Sequence, residues 1–357
     1  MSDVPALEGV LTSSEVLRTA EAIAEVQEPA GAIPWFRDGH LDPWDHVQSA
    51  MALTAAGLTG RAEAAYEWCR QTQRPDGSWA SKYVAGRVED ASADANFTAY
   101  VATGVWHHWT ITRDRAFVER MWPVVRAAIG AVLSLQTSGG EIHWGREPSG
   151  AVKPEILLTG NASVHLSLRC AVALAEVVGE LAPEWELAAA RLGHVVERHP
   201  ERFADKHRYS MDWYYPILSG VLSRADADAR LAARWDDFVV PGLGIRCVAD
   251  QPWVTGAETC ELVLALDAIG RPDDAREQLA AMQHLRHDDG SYWTGYVYPD
   301  ATRWPVEQTA WTAATVILAT DALSRTTPGS GLFRGEGLPS GVLAGALEGT
   351  CSCPANR

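Results

Sequence analysis

Apolar residues recur at helical spacing along nearly the whole stretch from residue 12 to residue 325, broken by short loops of Gly, Pro and Asp. Alternation with a period of two, the mark of half-buried strands, is nearly absent. The pattern predicts an all-α chain of about twelve helices.

Two kinds of helix alternate. One kind is apolar almost all round and opens on acidic or amide residues: LDPWDHVQSAMAL at 41, DASADANFTAYVATG at 90, TGNASVHLSLRCAVALAE at 159, YSMDWYYPILSGVL at 209, TGAETCELVLALDAIG at 255 and PVEQTAWTAATVILATDAL at 305. The openings recur about every 45 to 70 residues. Between them lie amphipathic helices such as GRAEAAYEWCRQTQ and PDDAREQLAAMQHL. A ring of helices covered on every side, wrapped by a ring covered on one side, satisfies both patterns. The expected architecture is therefore an all-α (α/α)6 six-hairpin barrel forming a single domain over 13–325. A short N-terminal extension (1–12) and a Gly/Ser/Pro-rich, flexible C-terminal tail (326–357) flank it.

Parallel helices of the apolar kind bring their polar N-termini to one end. A cap needs one Ser, Thr, Asp or Asn, whereas Asp42 with Asp45, Asp90 with Asp94, Glu258 with Glu261 and Glu307 with Gln308 supply two. The extra carboxylates are expected to sit a turn in, facing the axis of the ring. A further signal ends the amphipathic helices: QTQRPDGSW at 71, LQTSGGEIHW at 135 and MQHLRHDDGSYW at 282. Each has a Gln, a Gly turn and a Trp on the loop leading to the next apolar helix. These motifs either staple neighbouring hairpins or carry Trp79, Trp144 and Trp293 to the pocket.

Composition narrows the chemistry. A formal charge of −16 and the lack of any Lys/Arg run argue against nucleic acid or an anionic membrane as partner. The first residues, MSDVPALEGV, lack the pattern of a secretory signal, and no long apolar span is evident, which predicts a cytoplasmic protein. Six cysteines are scattered; Cys69, Cys170, Cys247 and Cys260 are expected as buried thiols and Cys351 with Cys353 as an exposed pair. None has metal-ligand spacing, and neither a metal nor a cofactor is expected. The 15 tryptophans, together with the carboxylates, suit a small neutral polyol, because acids bond hydroxyls and indoles stack on the apolar faces of sugars.

The candidate catalytic carboxylates are Asp45, Asp94, Glu147, Asp212, Glu258 and Glu307. Clustered acids push one another's pKa values apart, which supplies an acid and a base without special residues. Candidates for substrate binding are Trp44, His46, Trp79, Asn96, Trp144, Arg146, His165, Trp213, Tyr214, Arg246, Trp293, Gln308 and Trp311.

Residues 90–322 resemble glucoamylase-type glycoside hydrolases in the order of several segments. These are DASADANFTAYVATGVWHHWTITRDRAFVERMWPVVRAAIGAVL, EIHWGREPSG, GLGIRCVADQPWVTGAETCELVLALDAIGRPDDAREQL and RWPVEQTAWTAATVILATDAL. The resemblance implies inverting hydrolysis, with a carboxylic acid protonating the leaving oxygen and a carboxylate activating water. It places the acid near EIHWGRE, where Glu141 and Glu147 flank Trp144 and Arg146. Where that family has its late glutamate this chain has Thr294 and Gly295, so the base falls to Asp45, Asp94, Asp212 or Glu307.

The Gln-to-Gly-x-Trp turns resemble those of squalene-cyclase and protein-prenyltransferase toroids, which implies an isoprenoid substrate as the alternative. The Asp-x-Asp-Asp acid of that cyclase class is missing: DPWDH, DASAD and HDDG all depart from it. A catalytically inactive sugar-binding barrel is the third expectation.

Overall fold

The computed structural model describes residues 3–339. Within them lie twelve α-helices. The odd-numbered ones are α1 (Ser13–Val26), α3 (Thr59–Thr72), α5 (Arg115–Leu133), α7 (Pro183–Arg198), α9 (Arg224–Phe238) and α11 (Pro272–Ala281). The even-numbered ones are α2 (Pro43–Ala55), α4 (Ala95–Thr112), α6 (Leu158–Val178), α8 (Ser210–Leu218), α10 (Gly256–Ala268) and α12 (Ala310–Ser324). Each even-numbered helix packs on the next even one, and α12 returns to α2, so the contacts close into a circuit.

Burial follows the sequence pattern. In α10 only Ala268 escapes burial, and in α2 only Trp44 does. The odd-numbered helices bury one face, as α3 does with Ala62, Ala65, Tyr66, Trp68 and Cys69. Helix α6 is long and apolar enough by composition to cross a membrane, yet 78% of its most apolar stretch is buried inside the protein. Its apolarity belongs to the core.

Caps fix where the even-numbered helices begin. The Asp42 carboxylate accepts from Asp45 N at 3.0 Å, with Pro43 as the first helical residue. Asp94 accepts from Asn96 N (2.7 Å) and Phe97 N (3.1 Å), and the Thr309 hydroxyl accepts from Thr312 N (3.3 Å). These starts place a second polar residue one turn further along, within the circuit.

Among the described residues there are also ten short strands, which the all-α expectation omitted: β1 (His40–Leu41), β2 (Lys82–Val84), β3 (Arg87–Asp90), β4 (Ala93–Asp94), β5 (Gly145–Arg146), β6 (Val239–Val240), β7 (Gly244–Arg246), β8 (Trp253–Thr255), β9 (Gly295–Val297) and β10 (Thr302–Arg303). They form antiparallel sheets ordered β1-β2-β3, β4-β5 and β10-β9-β8-β7-β6. Strands of two to four residues are too short to show a period of two. Several lead directly into even-numbered helices, so they make a rim at the polar end. Gly145 in β5 is required there, because a Cβ would lie 1.9 Å from Ala93 O.

The recurring Gln and Gly residues staple successive odd-numbered helices. Gln73 Nε2 donates to Gly77 O and to Val124 O of α5, both at 2.9 Å. Gln136 repeats this with Gly140 O (2.8 Å) and Ala188 O of α7 (3.1 Å), and Gln27 with Gly31 O (3.1 Å) and Arg61 O of α3 (2.9 Å). Gly77 has φ +88°, and a Cβ there would lie 2.2 Å from Ala127 O. Gly77→Ala is therefore expected to cost about 2 kcal/mol or more, read as a lower midpoint in urea unfolding; an unchanged midpoint would mean the staple yields freely.

The core extends past the expected barrel end at 325. Leu332 and Leu338 are buried, Arg334 pairs with buried Asp267 at 2.5 Å, and the Thr327 hydroxyl donates to Asp321 at 2.6 Å. Residues 326–339 are thus a packed segment and not part of a loose tail. The rest of that tail, with Cys351 and Cys353, lies outside the described residues. At the N-terminus, part of the expected extension also packs, since Leu11 is buried. Cys69, Cys170 and Cys260 are buried free thiols, and Cys247 is half-buried.

Candidate active site

Four carboxylates from two helix openings meet at the polar end of the circuit. Asp42 and Asp45 come from the start of α2, and Glu258 and Glu261 from the first turns of α10; all four are buried. The Asp-x-x-Asp and Glu-x-x-Glu spacings set both members of each pair on one helical face. Burial holds the Asp45 carboxyl well above the usual carboxylate range, and Asp42, Glu261 and Glu258 push it further in the same direction. This environment favours the protonated form of Asp45.

Glu261 is raised to about 7, chiefly by burial, against the lowering effect of its hydrogen bonds. Tyr214 O–H donates to it at 2.6 Å and Tyr215 O–H at 2.8 Å. Burial and Glu261 push both phenols up, so they remain donors. The Trp311 indole N–H donates to Gln48 Oε1 at 2.9 Å, and Trp35 N–H donates to Asp42 at 2.7 Å. Helices α2, α8, α10 and α12 are thereby tied together around the acids.

Trp44, the one incompletely buried residue of α2, lies edge-on to Tyr215 (5.6 Å between ring centres) and near Tyr100 (5.8 Å) and Phe97 (6.1 Å). It lines a cavity of about 300 Å³ between the openings of α4, α6 and α8, together with Phe97, Trp144, Leu157, Met211 and Asp212. A second hollow of about 650 Å³ shares Lys206 and Asp212 with it. The result is an acidic cluster next to an aromatic-lined space, an arrangement suited to binding a sugar.

The other expected site residues divide. Asp94 reaches the cavity wall, but its oxygens are occupied as the α4 cap and by the Trp144 indole N–H; burial raises it to about 6. Asp212 borders both hollows, is raised by burial, and accepts from the Thr159 hydroxyl at 2.6 Å. Asn96 and Trp144 line the same cavity. Tyr214 and Trp311 belong to the acidic cluster, as described.

The structure places several other expected residues away from this cluster. Glu147 is exposed in the turn after β5, where the chain doubles back between Glu147 and Ala151. Its neighbour Glu141 is buried but faces Arg202 at 3.5 Å. Glu307 and Gln308 line a separate hollow with Phe36 and Arg37, against α1. His46 accepts from Ile33 N (3.1 Å) and donates to Ala65 O (2.9 Å), and burial lowers it to about 4, so it is a neutral structural ring. His165, also lowered to about 4 by burial, bonds Ser219 O at 2.9 Å.

The indoles of Trp79 and Trp213 are buried and donate to Cys69 O and Arg230 O, each at 3.0 Å. Trp213 also stacks on Phe238, although it borders the larger hollow. Arg146 bonds Gly150 O and Ser134 Oγ, and Arg246 bonds Tyr298 and Asp237 O, so both hold rim loops. Trp293 sits beside Arg303 and His287 on the rim, paired through its backbone with Gln308.

Sequence reasoning paired Asp42 with Asp45 and Glu258 with Glu261 without naming Asp42 or Glu261 as candidate site residues, and it did not consider Gln48 or Tyr215. The signal for the two acids was their i, i+3 spacing to Asp45 and Glu258. Gln48 and Tyr215 stand inside apolar helical runs, where only coordinates show what they touch.

No protein-family model matches the chain. It is 62% identical over 350 residues, covering 98% of this chain and 96% of the relative, to an enzyme of Mycolicibacterium hassiacum named MMP endo-(1,4)-3-O-methyl-alpha-D-mannosidase. Solved structures with the same fold include a glycosidase variant in complex with glucose (TM-score 0.66, 16% identity, covering 89% of this chain and 100% of that one). A GH63 mannosylglycerate hydrolase from Thermus thermophilus is similar at TM-score 0.67 and 15% identity (85% and 99%), and a D-mannose isomerase at TM-score 0.68 and 11% identity (88% and 97%). The glycoside-hydrolase resemblance read from the sequence is thus confirmed, and the isoprenoid alternative finds no support among these relatives. With its helix-rich fold and its acidic, aromatic site, the chain belongs to the family of the Mycolicibacterium hassiacum mannosidase and is a carbohydrate-active glycoside hydrolase.

Proposed function

We propose that the enzyme hydrolyses internal (1,4) linkages between 3-O-methyl-α-D-mannose units, at the N-terminal mouth of an (α/α)6 toroid. The observation that carries the mechanism is the burial of Asp45 beside Asp42, Glu258 and Glu261, which raises its pKa. The substrate class follows from the 62% identity to the mannosidase.

In this reading Asp45 is the general acid and Glu258 the general base. The bond from the anomeric carbon to the bridging oxygen breaks as Asp45 gives that oxygen its proton. A water oxygen bonds to the anomeric carbon while Glu258 takes the water's proton. Atoms and charge balance: Asp45 ends as carboxylate, Glu258 as acid, and a proton passes between them through solvent before the next turnover. Glu261, fixed by Tyr214 and Tyr215, contributes negative charge that favours the oxocarbenium-like transition state.

The test is incubation with an α-(1,4)-linked 3-O-methylmannose oligosaccharide, followed by mass spectrometry. Shorter methylated oligosaccharides with new reducing ends, each cut adding one water, are expected. An intact substrate after prolonged incubation with folded enzyme would overturn the assignment.

A further inference from the structure

The cavity beside Trp44 is unusual for a sugar enzyme in how little hydrogen bonding it offers. Both oxygens of Asp94 are engaged, by Asn96 N, Phe97 N and the Trp144 indole. Asn161 is consumed by backbone groups of Ile142 (2.8 and 2.9 Å) and Leu157 (2.8 Å), and the Thr159 hydroxyl by Asp212 (2.6 Å). Asn96 Oδ1 and His143 Nδ1 have no partner, but both atoms are buried beneath the cavity surface. Much of the lining is carbon from Trp44, Phe97, Leu157, Val164 and Met211. Of the polar lining residues, Tyr209 has an exposed side chain, and Lys206 and Asp212 stand where this cavity meets the larger hollow.

A free sugar hydroxyl buried against such a wall would lose its water and gain no partner, whereas an ether methyl is stabilised by leaving water. The cavity also abuts the acidic cluster, because Trp44 lies between it and Tyr215, which holds Glu261. We propose that this cavity is a methyl-ether subsite: Trp44, Phe97, Leu157, Val164 and Met211 receive the 3-O-methyl group of a mannose unit next to the cleaved bond. The hydroxyl-bearing edge of that unit turns toward Lys206 and Asp212. The inference rests on the substrate reading above and assigns its selectivity to named side chains.

The experiment measures kcat/KM on 3-O-methylated and unmethylated α-(1,4)-manno-oligosaccharides of equal length, for the wild type, Met211→Gln and Val164→Thr. Both substitutions keep side-chain volume and add a hydrogen-bonding group to the wall. The wild type should prefer the methylated substrate by about ten-fold or more, the range a hydrophobic pocket reaches for one methyl group. In the variants the ratio should fall by about ten-fold, with cleavage of the unmethylated substrate rising as that of the methylated one drops. Misfolding would lower both rates together and leave their ratio in place, so the opposite movements are the signature. A wild type without preference, or variants that keep the full preference, would overturn the subsite alone. A wild type that cleaves neither oligosaccharide would overturn the substrate reading and the subsite with it.

Discussion

Asp45→Asn is expected to lower kcat on a methylated mannoside by about 10³-fold while changing KM little, because the amide fills the same space but has no acidic proton to give. The backbone N–H at position 45 still meets the Asp42 cap, so α2 begins where it did. The defect should depend on the leaving group. An aryl glycoside of the same oligosaccharide, whose phenolate departs without protonation, should recover most of the lost rate. The pH profile gives a second reading. Asp45 is raised by burial and by three neighbouring acids, and it works only while protonated. Wild-type kcat therefore falls as pH rises through that raised pKa. Glu261, at about 7, titrates in the same coupled cluster, so the alkaline limb reports the group and not one residue. On the activated substrate, Asp45→Asn should lose that limb. Retention of full activity on the natural linkage would remove Asp45 from the chemistry.

Glu258→Gln should cost a similar factor, about 10³-fold in kcat, for the opposite reason. Water is then no longer deprotonated as it attacks, and a better leaving group does not supply the missing base. The aryl glycoside that rescues the Asp45 variant should leave the Glu258 variant slow. Rescue of both variants to the same extent would mean that neither position holds the base. Glu258 stands in the first turn of α10, on the same element as Glu261.

The helix periodicity and the doubled polar openings gave away most of the architecture before any coordinate was known. Asp45 and Glu258 stand out in the sequence because each adds a carboxylate to the first turn of an apolar helix. Asp94 misled for the same reason in reverse: with Asp90 it reads as a pair, but Asp90 lies exposed on β3 and Asp94 is itself the cap. Glu147 and Glu307 are carried away from the acidic cluster by strands and turns, the β4-β5 pairing and the rim sheet, too short to leave a periodic trace. His46 and His165 share helix faces with polar residues, yet their partners Ala65 O and Ser219 O come from elsewhere in the chain, which no local pattern reveals. The Gln and Gly of the recurring turns were visible, and the structure assigns them to stapling neighbouring helices. Gly77 sits where only a residue without a side chain can meet Ala127 O.

The crystal structure of the Asp45→Asn variant with a 3-O-methylated α-(1,4)-manno-oligosaccharide bound would test the central claim most directly. The account predicts a glycosidic oxygen within hydrogen-bond reach of the side chain at position 45, Glu258 beside the anomeric carbon, and a methyl ether seated against Trp44 and Met211. A sugar chain lodged instead in the Glu307 and Gln308 hollow, with the four buried acids untouched, would contradict it.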